Sequence, residues 1–195
     1  MARLHGKGKQ VICYFSAVNR EDWRPDAAAF PRAAIGNPLG GWRGERWLDV
    51  RPLDGVLPIM KARIALAAAR GCDAVDPDNV DGYRNDTGFP LVYDDQIRFN
   101  RALADGAHEA GLAVSLKNDL GQIPDLLSHV DFAVSEECFQ YGECEALLPF
   151  VAAGKAVFGI EYRLPVARFC RKGRTMNFDF LRKRLKLNAW RKACR

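Results

Sequence analysis

The feature that most restricts the fold is a series of short apolar runs separated by helical or irregular segments. VICYFSAV (11–18), RWLDVR (46–51), CDAVDPDNVD (72–81), LAVSLKND (112–119), DFAVSEECF (131–139), KAVFGIEY (155–162) and a weaker TMNFDF (175–180) supply seven candidate strands. Most are apolar at successive positions, the pattern of strands buried on both faces. Between them, PIMKARIALAAARG (58–71) reads as a helix with Pro58 in its first turn and Gly71 just past its end. Ile59, Ile64, Ala67 and Ala68 are its expected inner side. Asp94 or Asp95 is placed to cap a second helix, QIRFNRALADGAHEA (96–110), with Ile97, Leu103, Ala104 and Ala107 inward. CEALLPFVAAG (144–154) reads as a third helix, shortened or kinked by Pro149. Strands alternating with helices imply a parallel sheet covered by helices, as a barrel or as an open doubly wound sheet.

With 195 residues, 48% of them hydrophobic, the chain is expected to fold as a single domain over 1–195. No apolar run approaches the roughly 18 residues of a membrane-spanning helix, so no membrane partner is expected. The first ten residues lack the apolar stretch of a secretory signal. The net charge of +5 is unevenly spread: residues 11–162 carry −9, whereas 163–195 hold twelve Lys and Arg against Asp179 alone. An acidic body argues against a nucleic-acid groove and favours a neutral or cationic ligand. The basic tail reads either as a solvated helical face or as a phosphate contact. The six cysteines form no CxxC pair and lie far in sequence from the three histidines, so no metal site is expected. Cys13 and Cys72, inside apolar runs, read as buried thiols. Cys138 with Cys144, and Cys170 with Cys194, are placed to form disulfides in an oxidising compartment.

Two features favour the barrel. No glycine-rich phosphate turn of the open-sheet type occurs. Instead, polar residues recur where the apolar runs end: Ser16, Asp49, Asp76, Asp78, Lys117, Asn118, Asp119, Glu136 and Glu161. Active sites of (β/α)8 barrels are built at that rim. Asp76 and Asp78 are two apart, so an extended chain points both to one side. Glu136 and Glu137 follow FAVS in the same way. Carboxylates from two strands are what glycoside hydrolysis uses, one protonating the leaving oxygen and the other acting as nucleophile or base, with no cofactor. The same acids could instead hold calcium or magnesium, or cap loops. Lys117, Asn118 and Asp119 read as a turn or as a cation set between carboxylates. Trp23, Trp42, Trp47, Tyr83, Phe139 and Tyr141 suit sugar stacking and loop packing equally.

The ordered segments VICYFSA, WRPD, GERWLDVR, PIM, GCDAVDPDNVDGY, TGFPL, LKND, FAVSEECFQYGEC and AGKAVFGIEY resemble glycoside hydrolase family 114, from about Gly8 to Cys194. The resemblance implies a (β/α)8 TIM barrel and an endo-acting α-1,4-polygalactosaminidase-type activity on a cationic amino-sugar polysaccharide, secreted from the cell. It places the catalytic pair on Asp78 and Glu136. Substrate contacts are implied around Tyr14, Asn79, Asp81, Asp49, Lys117 and Asn118. The chain departs from the family pattern at Asp76, where Glu is commoner, and at Ser135 and Glu137, where Asn and Gln are commoner. The resemblance also implies one strand and helix before Val11, so the chain reads as a barrel with its first strand missing. Asp49, Asp81 and Glu161 are the acids expected to meet substrate amines. The competing readings are a non-catalytic carbohydrate-binding or interaction protein derived from a truncated barrel, and a nucleic-acid binder using the tail.

Overall fold

The computed structural model describes residues 1–194, and its contacts gather into two compact units, 1–115 and 116–195. The first contains α1 (Ala2–His5), β1 (Ile12–Ser16), β2 (Asn19–Glu21), β3 (Ile35–Pro38), β4 (Glu45–Leu48), α2 (Leu53–Ala69), β5 (Ala74–Asp78) and α3 (Tyr93–Glu109). It ends within β6 (Ala113–Lys117). β1 pairs in parallel with β5, Ile12 against Ala74 through Ser16 against Asp78, and β5 pairs in parallel with β6. Such pairs need helical crossovers, and α2 and α3 supply them.

The run 46–51 departs from this scheme. Its strand, β4, lies antiparallel between β2 and β3 in a separate three-stranded sheet. The cause is local: LGGWRG (39–44) turns the chain tightly, with Gly41 at φ 82° and Gly44 at φ 90°, and no helix intervenes. β1 also differs from a continuous buried run. Ile12 and Tyr14 are exposed, and burial is complete only from Phe15 onward.

Both long helices follow their apolar periodicity, with shifts. α2 starts five residues before Pro58, so the proline lies in the second turn and leaves the Asp54 carbonyl without its usual helical donor. Its buried line is Val56, Met60, Arg63, Ile64 and Ala67, one register away from Ile59 and Ala68. Arg63 is buried because Asp26 accepts from its Nε and Nη2 at 2.7 and 2.8 Å and the Ser16 carbonyl accepts from Nη1 at 2.8 Å. In α3, Val92 rather than an aspartate is the cap residue, and Asp95 accepts the Val92 N–H at 3.2 Å. Ile97, Leu103, Ala104 and Ala107 are buried as the pattern predicts.

The second unit holds α4 (Ile123–Leu126), β7 (Phe132–Glu136), α5 (Cys138–Tyr141), α6 (Leu148–Ala152), β8 (Ala156–Glu161), α7 (Val166–Thr175), β9 (Asp179–Lys183) and β10 (Arg191–Ala193). β7, β8 and β9 pair in parallel, and β10 returns antiparallel along β9. β9 begins later than the run 175–180 because α7 continues to Thr175 and Asn177 turns the chain at φ 59°. Phe169 of α7, Phe178 and Phe180 are buried; Phe139 packs against Phe169 and Phe180, and Phe178 stacks on Phe180. The basic tail is therefore folded into a helix and two strands rather than one helical face.

All six cysteines are paired. Cys138–Cys144 and Cys170–Cys194 form as the spacing suggests. Cys13 and Cys72 are not free thiols: they are joined, with Cα atoms 6.0 Å apart. The two apolar runs are neighbours, so β1 and the turn entering β5 bring the sulfurs together.

Candidate active site

In the first unit, parallel pairing of β1 with β5 sets Ser16 against Asp78 and Tyr14 against Asp76. The Tyr14 hydroxyl donates to Asp78 Oδ2 at 3.0 Å. Although Tyr14 is half exposed, loss of water at its phenol pushes the group well above its ordinary range, with Asp78 the next cause. Tyr14 therefore stays a neutral donor. Asn79 follows the strand in the left-handed region, φ 62°; its N–H donates to Asp78 Oδ1 at 2.9 Å and its side-chain amide to Ser16 Oγ at 2.9 Å. Asp76 and Asp78 reach to opposite neighbours, since Asp76 accepts the Ser115 hydroxyl from β6.

Asp81 lies in the turn after β5, where burial raises its carboxyl and Asp78 adds to the effect. Asp49 is held by its own neighbour: Arg51 donates from Nε at 2.9 Å, from Nη2 at 2.7 Å and from its backbone N–H at 3.1 Å. Burial would raise the Asp49 carboxyl, but Arg51 outweighs it and keeps it low. Asp49 thus orients Arg51.

The second unit gathers Lys117, Asn118 and Glu136. Lys117 Nζ is 3.0 Å from Glu136 Oε2, and Lys117 is only 4% exposed. Asn118 accepts the Glu136 N–H at 2.8 Å, and its amide donates to Oε2 at 3.3 Å. The Tyr162 hydroxyl, just past β8, donates to Glu136 Oε1. Tyr162 is a partner of Glu136 that strand-end acids do not reveal, although it directly follows the apolar run AVFGIE. Glu161 is fully buried and accepts the Phe139 N–H at 2.9 Å, which ties it to α5. Burial raises its carboxyl, and its Oε2 is buried without a hydrogen-bond partner.

One backbone device recurs. The residues following β5, β6 and β7 (Asn79, Asn118 and Glu137) have φ of 62°, 57° and 57°. Each turns the chain sharply where a polar side chain is displayed. Asparagine adopts this region readily, whereas glutamate does so at a cost of about 1–2 kcal/mol. Among the aromatics, Trp23, Trp42 and Tyr141 are exposed, Trp47 is buried, and Tyr83 packs edge-on against Tyr93.

Also missed by the sequence is a buried acidic group in the first unit. Glu21 and Glu45 face each other across β2 and β4, and both lie in the electrostatic reach of Tyr14. Among the described residues, no group of three His, Cys, Asp or Glu side chains is arranged to hold a metal ion.

The sequence model of Glycoside-hydrolase family GH114 matches residues 1–195. Comparison with curated proteins returns no match. The crystal structure of Aspergillus fumigatus Ega3 in complex with galactosamine is 38% identical, with a TM-score of 0.92 over 99% of this chain and 82% of that one. The glycoside hydrolase domain of PelA from Pseudomonas aeruginosa shares the fold at 14% identity, with a TM-score of 0.72 over 98% of this chain and 85% of that one. The order of strands and helices expected of a TIM-barrel α/β enzyme is thus that of solved glycoside hydrolases. From the family match and the Ega3 likeness together, the chain belongs to glycoside hydrolase family GH114 and is a glycosidase.

Proposed function

We propose that this glycosidase cleaves α-1,4-linked galactosamine polymers at internal bonds, residues 1–195 acting as one catalytic domain, with Asp78 and Glu136 as its two carboxylates. The observation that carries the reading is the 38% identity to Ega3, a protein solved with galactosamine. The site chemistry supports it. Asp78 keeps two fixed donors, Tyr14 and the Asn79 N–H, and Glu136 keeps three, Lys117, Asn118 and Tyr162. Side chains held this way are preorganised for one task. One carboxyl protonates the glycosidic oxygen as the bond breaks, and the other attacks the anomeric carbon or activates the water that does. Asn79, Asp81, Lys117 and Asn118 are the proposed contacts to sugar hydroxyl and amino groups, and Asp49 acts there through Arg51.

The test is digestion of deacetylated α-1,4-galactosamine polymer, following new reducing ends and product length together. A spread of oligomers from the first minutes supports internal cleavage. Release of monosaccharide alone contradicts it, and binding without new reducing ends would make the protein a carbohydrate-binding relative instead.

A further inference from the structure

The antiparallel sheet of the first unit buries four side chains on one face. Asn19 and Glu21 alternate along β2, and their register partners on β4 are Trp47 and Glu45. Their exposures are 0%, 4%, 5% and 8% for Asn19, Glu21, Trp47 and Glu45. Like charges directly opposite on antiparallel strands destabilise a sheet, and burial sharpens their repulsion.

The nearby cations do not relieve Glu45. Arg24 is ion-paired with Glu21, and Arg63 is 3.4 Å from Glu21 while bound through two nitrogens to Asp26. Among the described residues, no hydrogen bond or ion pair holds the Glu45 side chain. Both polar atoms of the Asn19 amide also lack a partner there. The groups facing Glu45 are Glu21 from β2, Asp78 from β5 and the neutral Tyr14 phenol from β1, with Arg24 the one opposing charge. Burial, with Glu21 and Asp78 adding, pushes the Glu45 carboxyl up to about 7. Arg24, the charge opposing Glu45, is already paired with Glu21, so a cation brought by a ligand would find the Glu45 carboxyl without a hydrogen-bonded partner of its own. The acids are not arranged to chelate a metal.

We propose that Glu45 is the receptor for the ammonium group of the amino-sugar unit that lies against Asp78 and Tyr14. The inference rests on the galactosamine reading above and names its specificity residue. An ammonium brings the missing charge and donors. An acetamido group brings bulk without charge, so Glu45 selects the free amine. On binding, the ammonium takes the place of the carboxyl proton, which leaves to solvent.

The experiment is calorimetric titration with galactosamine and with N-acetylgalactosamine at about pH 6.5, in two buffers of different ionisation enthalpy, on the wild type and Glu45→Gln. At that pH the amine is charged and Glu45 largely protonated. The wild type should release a proton on binding galactosamine. Glu45→Gln should abolish that release and weaken galactosamine about tenfold or more, leaving N-acetylgalactosamine unchanged. The amide is isosteric and removes a repulsion, so the fold should survive. Glu45→Asp, which keeps the charge, should restore part of the preference. Wild-type galactosamine binding that Glu45→Gln leaves intact, or proton release that persists in it, overturns the receptor role alone. A wild type that neither binds galactosamine nor cleaves its polymer overturns the substrate reading as well.

Discussion

Gly159 offers a sharp test of the packing in the second unit. It sits in β8, opposite Ser135 of β7 and Phe180 of β9. A Cβ added there would stand 1.9, 2.1 and 2.2 Å from three atoms of the Phe180 ring. Carbon atoms attract best at about 3.5–4.0 Å, so these approaches are impossible without movement. The ring has no exposed surface, and its centroid lies 5.1 Å from that of Phe139, 6.2 Å from Phe169 and 6.0 Å from Phe178. It cannot swing aside without displacing the others. Overpacking by a methyl group costs typically about 1–3 kcal/mol, and a clash with three ring atoms belongs at the upper end. For a chain of this size each kcal/mol moves Tm by about 2–4 °C, so Gly159→Ala should lower Tm by about 6–12 °C. Thermal and urea unfolding followed by circular dichroism reads this directly. Phe180→Leu alone leaves a void, but combined with Gly159→Ala it should recover about 1–3 kcal/mol relative to additivity. An unchanged Tm in Gly159→Ala, or strict additivity in the pair, would refute the reasoning.

Stability should also depend on pH in a defined sense. Glu45, raised to about 7 first by burial, binds more protons folded than unfolded, so its contribution is full below the ordinary glutamate range and lost as pH rises through about 7. Glu45→Gln should flatten the profile between about pH 5 and 8. At the acid end, Asp26 and Asp49 are held low by Arg63 and Arg51, and their contribution disappears as pH falls through their lowered values, which leaves a maximum at mildly acidic pH. Among the disulfides, Cys13–Cys72 spans 59 residues and Cys138–Cys144 only 6, so chain entropy assigns them about 4 and 2 kcal/mol. Paired serine substitutions compared by denaturant midpoint should follow that order, and an inverted order would point to native-state packing instead. Cleavage of deacetylated polymer should exceed that of acetylated polymer and weaken between about 0.1 and 1 M salt, as the Debye length falls from about 10 to 3 Å. Equal, salt-indifferent rates would assign specificity to shape and hydroxyl contacts.

The strands and most polar strand ends were legible because burial on two faces leaves a continuous apolar run, and the polar residue that ends it stands out. Period and composition do not encode which strand pairs with which. RWLDVR therefore reads as one more strand of the parallel set, although the glycine turn before it makes it the centre of a small antiparallel sheet. Cys13 and Cys72 looked like buried thiols for the same reason: their sequence separation of 59 hides a 6.0 Å approach. Glu45 gives no signal in the sequence because it becomes unusual only when Glu21 is laid opposite it. Tyr162 escaped because a tyrosine after an apolar strand is ordinary until its hydroxyl is seen on Glu136. Asp49 stands out at the end of its run, but the sequence does not show that Arg51, two residues on, donates to it.

The central claim is that Asp78 and Glu136 carry out the bond cleavage, and turnover of galactosamine polymer by Asp78→Asn and Glu136→Gln tests it most directly. Both amides keep the size of the side chain, so unfolding midpoints should stay near that of the wild type. Asp125 of α4, which is not among the proposed site residues, serves as the control when changed to Asn. Removing a general acid, base or nucleophile of this kind lowers turnover by at least about 10²–10⁴-fold, and each variant should show such a loss while the control keeps wild-type rates. A folded Asp78→Asn or Glu136→Gln protein that turns over polymer at near wild-type rate would contradict the assignment.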